Sequence, residues 1–297
     1  MTPHRFATHR RSQGFSLVEL MISLVIGMVV IGAVLAAYLG SGFSSRNSQA
    51  MSQMTEDASV ALNVLRAQIS MVGYSQPTGV NSSGFTRAYN GVGLVGCDDM
   101  QFADLALGID ALTCVASAGS SDSIAIAYEA DAFNSAVSST GAPLDCLGNA
   151  LSLPSGITYY LSYSRFYLDQ PEGATAQSLY CRGPGNASAQ ALVENVADLQ
   201  VTYGVAAAPV PGQNRRVAYY AKASDLNAAQ FAAVMAVKVC VLVASASEVM
   251  DTKTPYQPCD PFDNQVTPTD RRMYRAFSST IVMHNRSGVL ITTAPAP

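Results

Sequence analysis

The chain has 297 residues, nearly half of them apolar, and only 13% are charged against about 25% in an average globular protein. That length suits one large domain or two small ones and allows a sizeable core. The formal net charge is −4, but residues 1–14 hold Arg5, Arg10 and Arg11 and no acid, so the remainder carries 14 basic against 21 acidic residues, a net of −7. Such an acidic body argues against non-specific nucleic-acid binding, which relies on basic side chains neutralising phosphates; Arg271, Arg272 and Arg275 form its most evident local basic patch.

Residues 1–14, MTPHRFATHRRSQG, are polar and basic and lack apolar periodicity. Residues 15–40, FSLVELMISLVIGMVVIGAVLAAYLG, are apolar for more than twenty positions, and no charged side chain lies between Leu20 and Ser45. A helix of that length crosses a bilayer core of about 30 Å. Arg10 and Arg11 precede it and no positive charge follows until Arg46. The positive-inside rule therefore places the leader in the cytoplasm and the body outside. A secretory signal peptide has an apolar core of only about 7–15 residues, so this run is too long, although Ala33, Ala36 and Ala37 imitate a cleavage site. A plain signal anchor fits the length but leaves Glu19 unexplained. A carboxylate inside an apolar span is costly and marks function by default.

The run Gly14-Phe15-Ser16-Leu17-Val18-Glu19-Leu20 resembles the class III leader junction of type IV prepilins and pseudopilins. The resemblance implies cleavage after Gly14 by a prepilin peptidase on the cytoplasmic side and N-methylation of Phe15, the new amino terminus. Glu19 then becomes the fifth mature residue. In that family its carboxylate attracts the amine of a neighbouring subunit and sets axial register. Pairing offsets much of the cost of burying either charge.

Beyond Arg46 the pattern becomes amphipathic. Met51, Met54, Ala58, Ala61, Leu65, Ile69 and Val72 follow helical spacing. No proline occurs between Pro3 and Pro77. Gly73 suits a helix end and Pro77 forbids continuation. One helix is expected from about Ser16 to Val72, roughly 85 Å at 1.5 Å per residue. The stripe reads first as core packing against the body's own sheet and second as a partner-helix surface. Gly27, Gly32, Gly40 and Gly42 are points of flexibility in the first half.

After Pro77 the texture changes to short β-rich runs among Gly, Ser and Asn. Strands are expected at Asp122–Glu129, Ile157–Leu168, Ser178–Arg182, Asp198–Val205, Val234–Ala244 and Arg275–Asn285, the fifth being the most apolar and therefore central. A hairpin is expected around Pro171-Glu172-Gly173, a turn or short helix at Val193–Val196 and a short helix at Leu226–Ala233. Loops are expected at Gly84–Gly96, Ala130–Leu144, Ala206–Asn214 and Met250–Thr269. The fold class is α+β, with one antiparallel sheet wrapped against the helix. The expected organisation is a leader over 1–14, a transmembrane then amphipathic helix over 15–76, and a β-rich head over 77–297 continuous with the helix as one domain.

All six cysteines, Cys97, Cys114, Cys146, Cys181, Cys240 and Cys259, lie beyond the apolar run, and none forms a Cys-x-x-Cys pair. An exported body with an even, dispersed set favours disulfides over zinc or redox chemistry. Six cysteines allow 15 pairings. Sequential pairing, 97–114, 146–181 and 240–259, gives loops short enough for neighbouring strands and is the preferred set; buried thiols are the alternative. Without the leader the sole histidine is His284, which excludes histidine metal clusters and leaves one general base, read as structural. No phosphate loop occurs. Asp98-Asp99 and Asp260/Asp263 offer oxygen ligands of the kind calcium takes, but neither has a calcium-loop pattern and solvated acids are the favoured reading. No cofactor, metal or catalytic residue is expected.

The order of Met71-Val72-Gly73-Tyr74, Leu179-Tyr180-Cys181-Arg182, Leu192-Val193-Glu194-Asn195-Val196 with Leu199-Gln200-Val201-Thr202-Tyr203-Gly204, then Val234–Val243 and Phe277–Arg286, resembles PilW-type minor pilins. The resemblance implies a type IV pilus subunit that helps to initiate assembly in a priming or tip complex, and so bears on twitching motility and adhesion. Implied partners are other minor pilins, the major pilin, the prepilin peptidase and the inner-membrane assembly platform. Implied locations are the inner membrane, single-pass with the head periplasmic, and then the pilus. The J-type pseudopilin of type II secretion is similar and is the alternative, as is an adhesin or binding module on the same anchor.

Overall fold

The computed structural model describes residues 14–81, 84–116, 121–171, 173–174, 176–186, 188–208 and 215–286. It divides into two compact units, Met1–Gln49 and Ala50–Pro297. Helix α1, Leu17–Ser70, supplies the described part of the first unit and enters the second. Its 54 residues hold no proline and run unbroken through Gly27, Gly32 and Gly42. Glycine in a helix interior costs roughly 1 kcal/mol relative to alanine, and the flanking Val, Ile and Ser residues are only middling helix formers, so the unbroken helix owes little to local propensity.

The helix ends where expected to within two residues, and by the expected device. Gly73 sits at φ +77°, the left-handed conformation that glycine adopts without penalty. Tight turns close the last residues: the Val72 N–H donates to Ile69 O at 3.1 Å and the Tyr74 N–H to Met71 O at 2.9 Å. The carbonyls of Ser70, Met71 and Gly73 also find distant partners. Asn285 Nδ2 donates to Ser70 O and Met71 O at 3.4 and 3.3 Å, and Arg87 donates to Gly73 O at 2.8 Å. The last turn has no basic residue of its own, so Arg87 supplies from elsewhere the positive charge that a helix C-terminus favours.

Among the described residues thirteen strands follow, their pairings antiparallel: β1 (Pro77–Asn81), β2 (Gly84–Arg87), β3 (Leu94–Cys97), β4 (Met100–Phe102), β5 (Cys114–Ala116), β6 (Ser123–Ala130), β7 (Tyr160–Asp169), β8 (Ser178–Arg182), β9 (Gln190–Glu194), β10 (Val196–Ala206), β11 (Val217–Ala221), β12 (Val234–Ala244) and β13 (Tyr274–Val282). A short helix α2, Ala228–Ala233, precedes β12; its N-cap Asn227 and Gln230 form a reciprocal capping box.

Two principal sheets form where one was expected: β11-β10-β12-β13 and β3-β6-β7-β8-β9, with small pairs β1-β2 and β4-β5. The division occurs at Asn195. The segment read as a turn or short helix is strand β9, followed by the single residue Asn195 at φ +58°, then β10. Asparagine tolerates this left-handed state. It redirects the chain from the edge of one sheet into the middle of the other, and its carbonyl accepts the Ala244 N–H at 2.9 Å. The loop expected at Gly84–Gly96 likewise contains β2 and most of β3. Strands β4, β5 and β11 lie outside every expected strand. Glu172 and the 209–214 part of the expected Ala206–Asn214 loop lie outside the described residues.

One core joins the second half of α1 to the sheets. Met54, Ala58, Ala61, Leu65, Ile69 and Val72 are buried, Met51 partly so. They share their cluster with Val237, Val239, Val241 and Val243, the alternate residues on one face of β12. Each large aliphatic side chain buried this way contributes about 1.5–3 kcal/mol. On the other face of β12 lie Lys238, Cys240 and Leu242. Cys240 bonds to Cys259 and draws the 246–270 loop over that face. Strand β12 is therefore covered on both sides, which accounts for its nearly continuous apolar sequence.

The structure joins Cys97 to Cys114, Cys146 to Cys181 and Cys240 to Cys259, with Cα separations of 5.7, 6.6 and 5.7 Å. The closed loops span 17, 35 and 19 residues. Each is worth about 3 kcal/mol or slightly more through loss of unfolded-chain freedom. Cys146 anchors a long segment without regular strands, and its neighbour Asp145 organises the turn there. Asp145 Oδ1 accepts the N–H groups of Leu147 and Asn149 at 2.9 Å, and Oδ2 accepts that of Gly185 at 3.0 Å.

Candidate functional site

The first unit places Gly14, Phe15 and Ser16 before the helix, in irregular, exposed backbone. The Leu20 N–H donates to Ser16 O at 3.2 Å, so helical bonding starts just past the Gly14–Phe15 peptide. Glu19 sits in the first turn, where the partial positive charge of the helix N-terminus favours a carboxylate. Its carbonyl accepts the Ser23 hydroxyl at 2.7 Å.

From Leu17 to Leu35 the large apolar side chains are between 54% and 76% exposed. The best 18-residue window has a mean hydropathy of 2.7 and none of it is buried. A helix apolar all round belongs in lipid or against other apolar chains. Glu19 is the only charged side chain from Leu17 to Ser45. The stem therefore offers one carboxylate at one end of an otherwise uncharged rod.

The comparisons bear on both ends of the chain. Residues 9–35 match the prokaryotic N-terminal methylation motif, and residues 165–285 match the family of the type IV pilus-assembly protein W. By these two matches the chain is similar to type IV minor pilins of the PilW type. The methylation match brackets Gly14, Phe15 and Glu19, and the assembly-protein match runs from within β7 to the residue after His284. The methylation match overlaps the start of the apolar helix, and the two together fit a membrane-anchored pilin. No curated protein matches the chain. Among solved structures, a type IV-like pilin from Thermus thermophilus aligns at 10% identity with a TM-score of 0.34, over 80% of this chain and 100% of its own.

In the head, His284 opens a single 3-10 turn after β13 and is exposed. A cleft of about 440 Å³ lies elsewhere, between β12, β13 and the tethered loop, lined by Lys238, Tyr256, Gln257, Cys259, Tyr274 and Ser278 among others. Tyr256 and Tyr274 stack there with ring centroids 4.7 Å apart. Two phenylalanines stand out of the surface: Phe133 is 94% and Phe262 96% exposed. Each is the third residue of an Asp-x-Phe turn, its N–H held by Asp131 Oδ1 at 2.8 Å or by Asp260 Oδ1 at 2.9 Å.

Of the Asp98-Asp99 pair, read from the sequence as solvated, Asp99 is exposed while Asp98 is largely buried. The pair meets Asp122 in a corner between the two principal sheets. Burial pushes the Asp122 carboxyl up to about 7, against two backbone N–H bonds that pull it down; the nearby charges of Asp98 and Asp99 push it further up. Asp122 is invisible as a partner in the sequence because 22 residues separate it from Asp99, and only the β3–β6 pairing brings them together. Asp260 and Asp263, by contrast, remain in an exposed turn.

Proposed function

We propose that this minor pilin is a non-catalytic building block that helps to start type IV pilus assembly, in a complex with other minor pilins at or near the pilus tip. A prepilin peptidase cuts after Gly14 and methylates Phe15, leaving a mature stem and head over residues 15–297. The subunit waits in the inner membrane with its head in the periplasm, then enters the pilus through the assembly platform. The observation that carries this reading is the uncharged, exposed stem with its single first-turn carboxylate, Glu19, four residues beyond the junction. In lipid, a free amine on one subunit and a carboxylate on the next stabilise each other at a cost far below that of either alone. Stacked stems then share register as well as apolar surface. A clean deletion should abolish or sharply reduce surface pili and twitching; normal piliation in the deletion strain would sink the priming role.

A second reading, display of a binding head on the pilus, draws support from Phe133 and Phe262. Rigid exposed aromatics are the kind of group that dominates contact surfaces. A Phe133→Ser, Phe262→Ser strain with normal pilus number but reduced attachment to surfaces would favour it; unchanged attachment would count against it.

A further inference from the structure

The corner between the sheets holds more negative charge than the protein neutralises. Asp98 and Asp99 are the two residues between β3 and β4, and Asp99 adopts φ +52°. The Cys97–Cys114 disulfide pins this corner at its first residue. Asp122, 3% exposed, lies immediately before β6. One carboxylate oxygen from each of the three aspartates lies within 4.8 Å of the other two. Asp122 is itself held rigidly. Oδ1 accepts the Asp99 N–H at 2.8 Å and Oδ2 accepts the Val201 N–H, from β10 in the other sheet, at 2.7 Å.

Three carboxylates face one cation, Lys222, whose ammonium is 3.5 Å from Asp98 Oδ1, an ion-pair distance longer than a good hydrogen bond. The Lys222 side chain is half exposed. Asp98 Oδ2 accepts the Ser224 hydroxyl at 2.7 Å. Two buried oxygens have no hydrogen-bond partner: Asp98 Oδ1 and the hydroxyl of Tyr203. Tyr203 is 1% exposed. Its hydroxyl lies against Gly96, where a Cβ would overlap it, two residues before Asp98 and within electrostatic reach of both Asp98 and Asp122. Buried hydroxyls are nearly always partnered, so an orphan hydroxyl within electrostatic reach of Asp98 and Asp122 marks this corner as one polar partner short.

We propose that Asp98, Asp99 and Asp122 form a calcium site that clamps the β3–β4 corner of one sheet to β10 of the other. The ligands are hard oxygens, which calcium takes six to eight at a time, and no nitrogen or sulfur ligand stands among the clustered residues. Asp122 is buried and fixed, while Asp99 is exposed and leaves an entry path with room for water ligands. Lys222 acts as the resident counter-ion when calcium is absent.

The test uses the full processed chain in detergent micelles, with calcium chloride against EGTA. Calcium at about 100 times its dissociation constant should raise Tm by roughly 5–10 °C. Calorimetric titration should give saturable binding of about one ion, in the 10⁻⁴–10⁻³ M range usual for extracellular calcium modules. Asp99→Asn alters an exposed side chain; it should leave Tm in EGTA unchanged and weaken calcium binding at least tenfold. Lys222→Ala should lower Tm in EGTA and tighten calcium binding severalfold, because the competing cation is gone. A wild-type Tm that is the same in calcium and EGTA would overturn the proposal. So would wild-type affinity in Asp99→Asn, or weaker binding in Lys222→Ala.

Discussion

Helix α1 is one element living in two regimes. Residues 17–35 and 54–72 are both rich in aliphatic side chains at helical spacing. In the first stretch the apolar residues cover every side and stay exposed; in the second they fall on one stripe and are buried against β12 and its neighbours. Among the described residues nothing covers the first stretch, so its apolar surface suits lipid or other apolar helices. The second is stabilised by tertiary contact, as most protein helices are. Identical side chains thus serve association in one half and folding in the other. The charged residues mark the change: none from Leu20 to Ser45, then Arg46, Glu56, Asp57 and Arg66 outside the buried stripe, with Arg66 reaching Ser279 of β13 at 2.7 Å.

The contrast can be broken by mutation, and the largest effect belongs to the stem. Glu19→Ala should leave cleavage after Gly14 and the Tm of the head unchanged, yet abolish or nearly abolish incorporation into pili. Immunoblots of sheared pili against whole cells give the readout; normal incorporation would remove the charge-pair argument. A matched pair of leucines comes next. Leu65→Ala, in the buried stripe, should cost about 2–5 kcal/mol of head stability. Leu24→Ala, 55% exposed in the stem, should leave thermal unfolding of the head unchanged. Equal effects on Tm would erase the distinction between the two halves.

Replacing Cys240 and Cys259 together by serine should cost about 3 kcal/mol, because the unfolded chain regains a 19-residue loop. The 246–270 segment should then become the first site of proteolysis, while the outer face of β12 gains hydrogen exchange. Gly73→Ala should cost the least, about 1–2 kcal/mol, since φ +77° strains any residue with a side chain and the new methyl would sit 3.1 Å from Arg286 Cγ. Denaturant midpoints of the three head variants should rank in that order, with Leu65→Ala the lowest.

The elements read well from sequence are those whose pattern is set by local chemistry. Strand β12 is a run of eleven almost wholly apolar residues, and β8 is bounded by polar turns; both fall where expected. The end of α1 follows from Gly73 and Pro77. Strands β3, β4 and β5 escaped because they have three or four residues each and borrow their stability from a disulfide and from neighbours distant in sequence. Strand β9 escaped because Asn195 suggests a turn, which it makes, but as a single-residue step between sheets. Arg87 and Asn285 are silent as helix caps in the sequence, since they reach the last carbonyls of α1 from 14 or more residues away.

The sequence by itself determined the parts governed by solvent preference and backbone freedom. These are an uncharged membrane-length helix, its single carboxylate after Gly14-Phe15, and the place where a glycine ends it. No fold is needed to read those, because lipid and water discriminate among side chains one at a time. Only the tertiary structure decided that the head has two sheets, that the second half of α1 is buried by β12, and that Asp122 meets Asp98 and Asp99. Those features depend on pairings between residues far apart in the chain, and their energies exist only once the partners have been brought together.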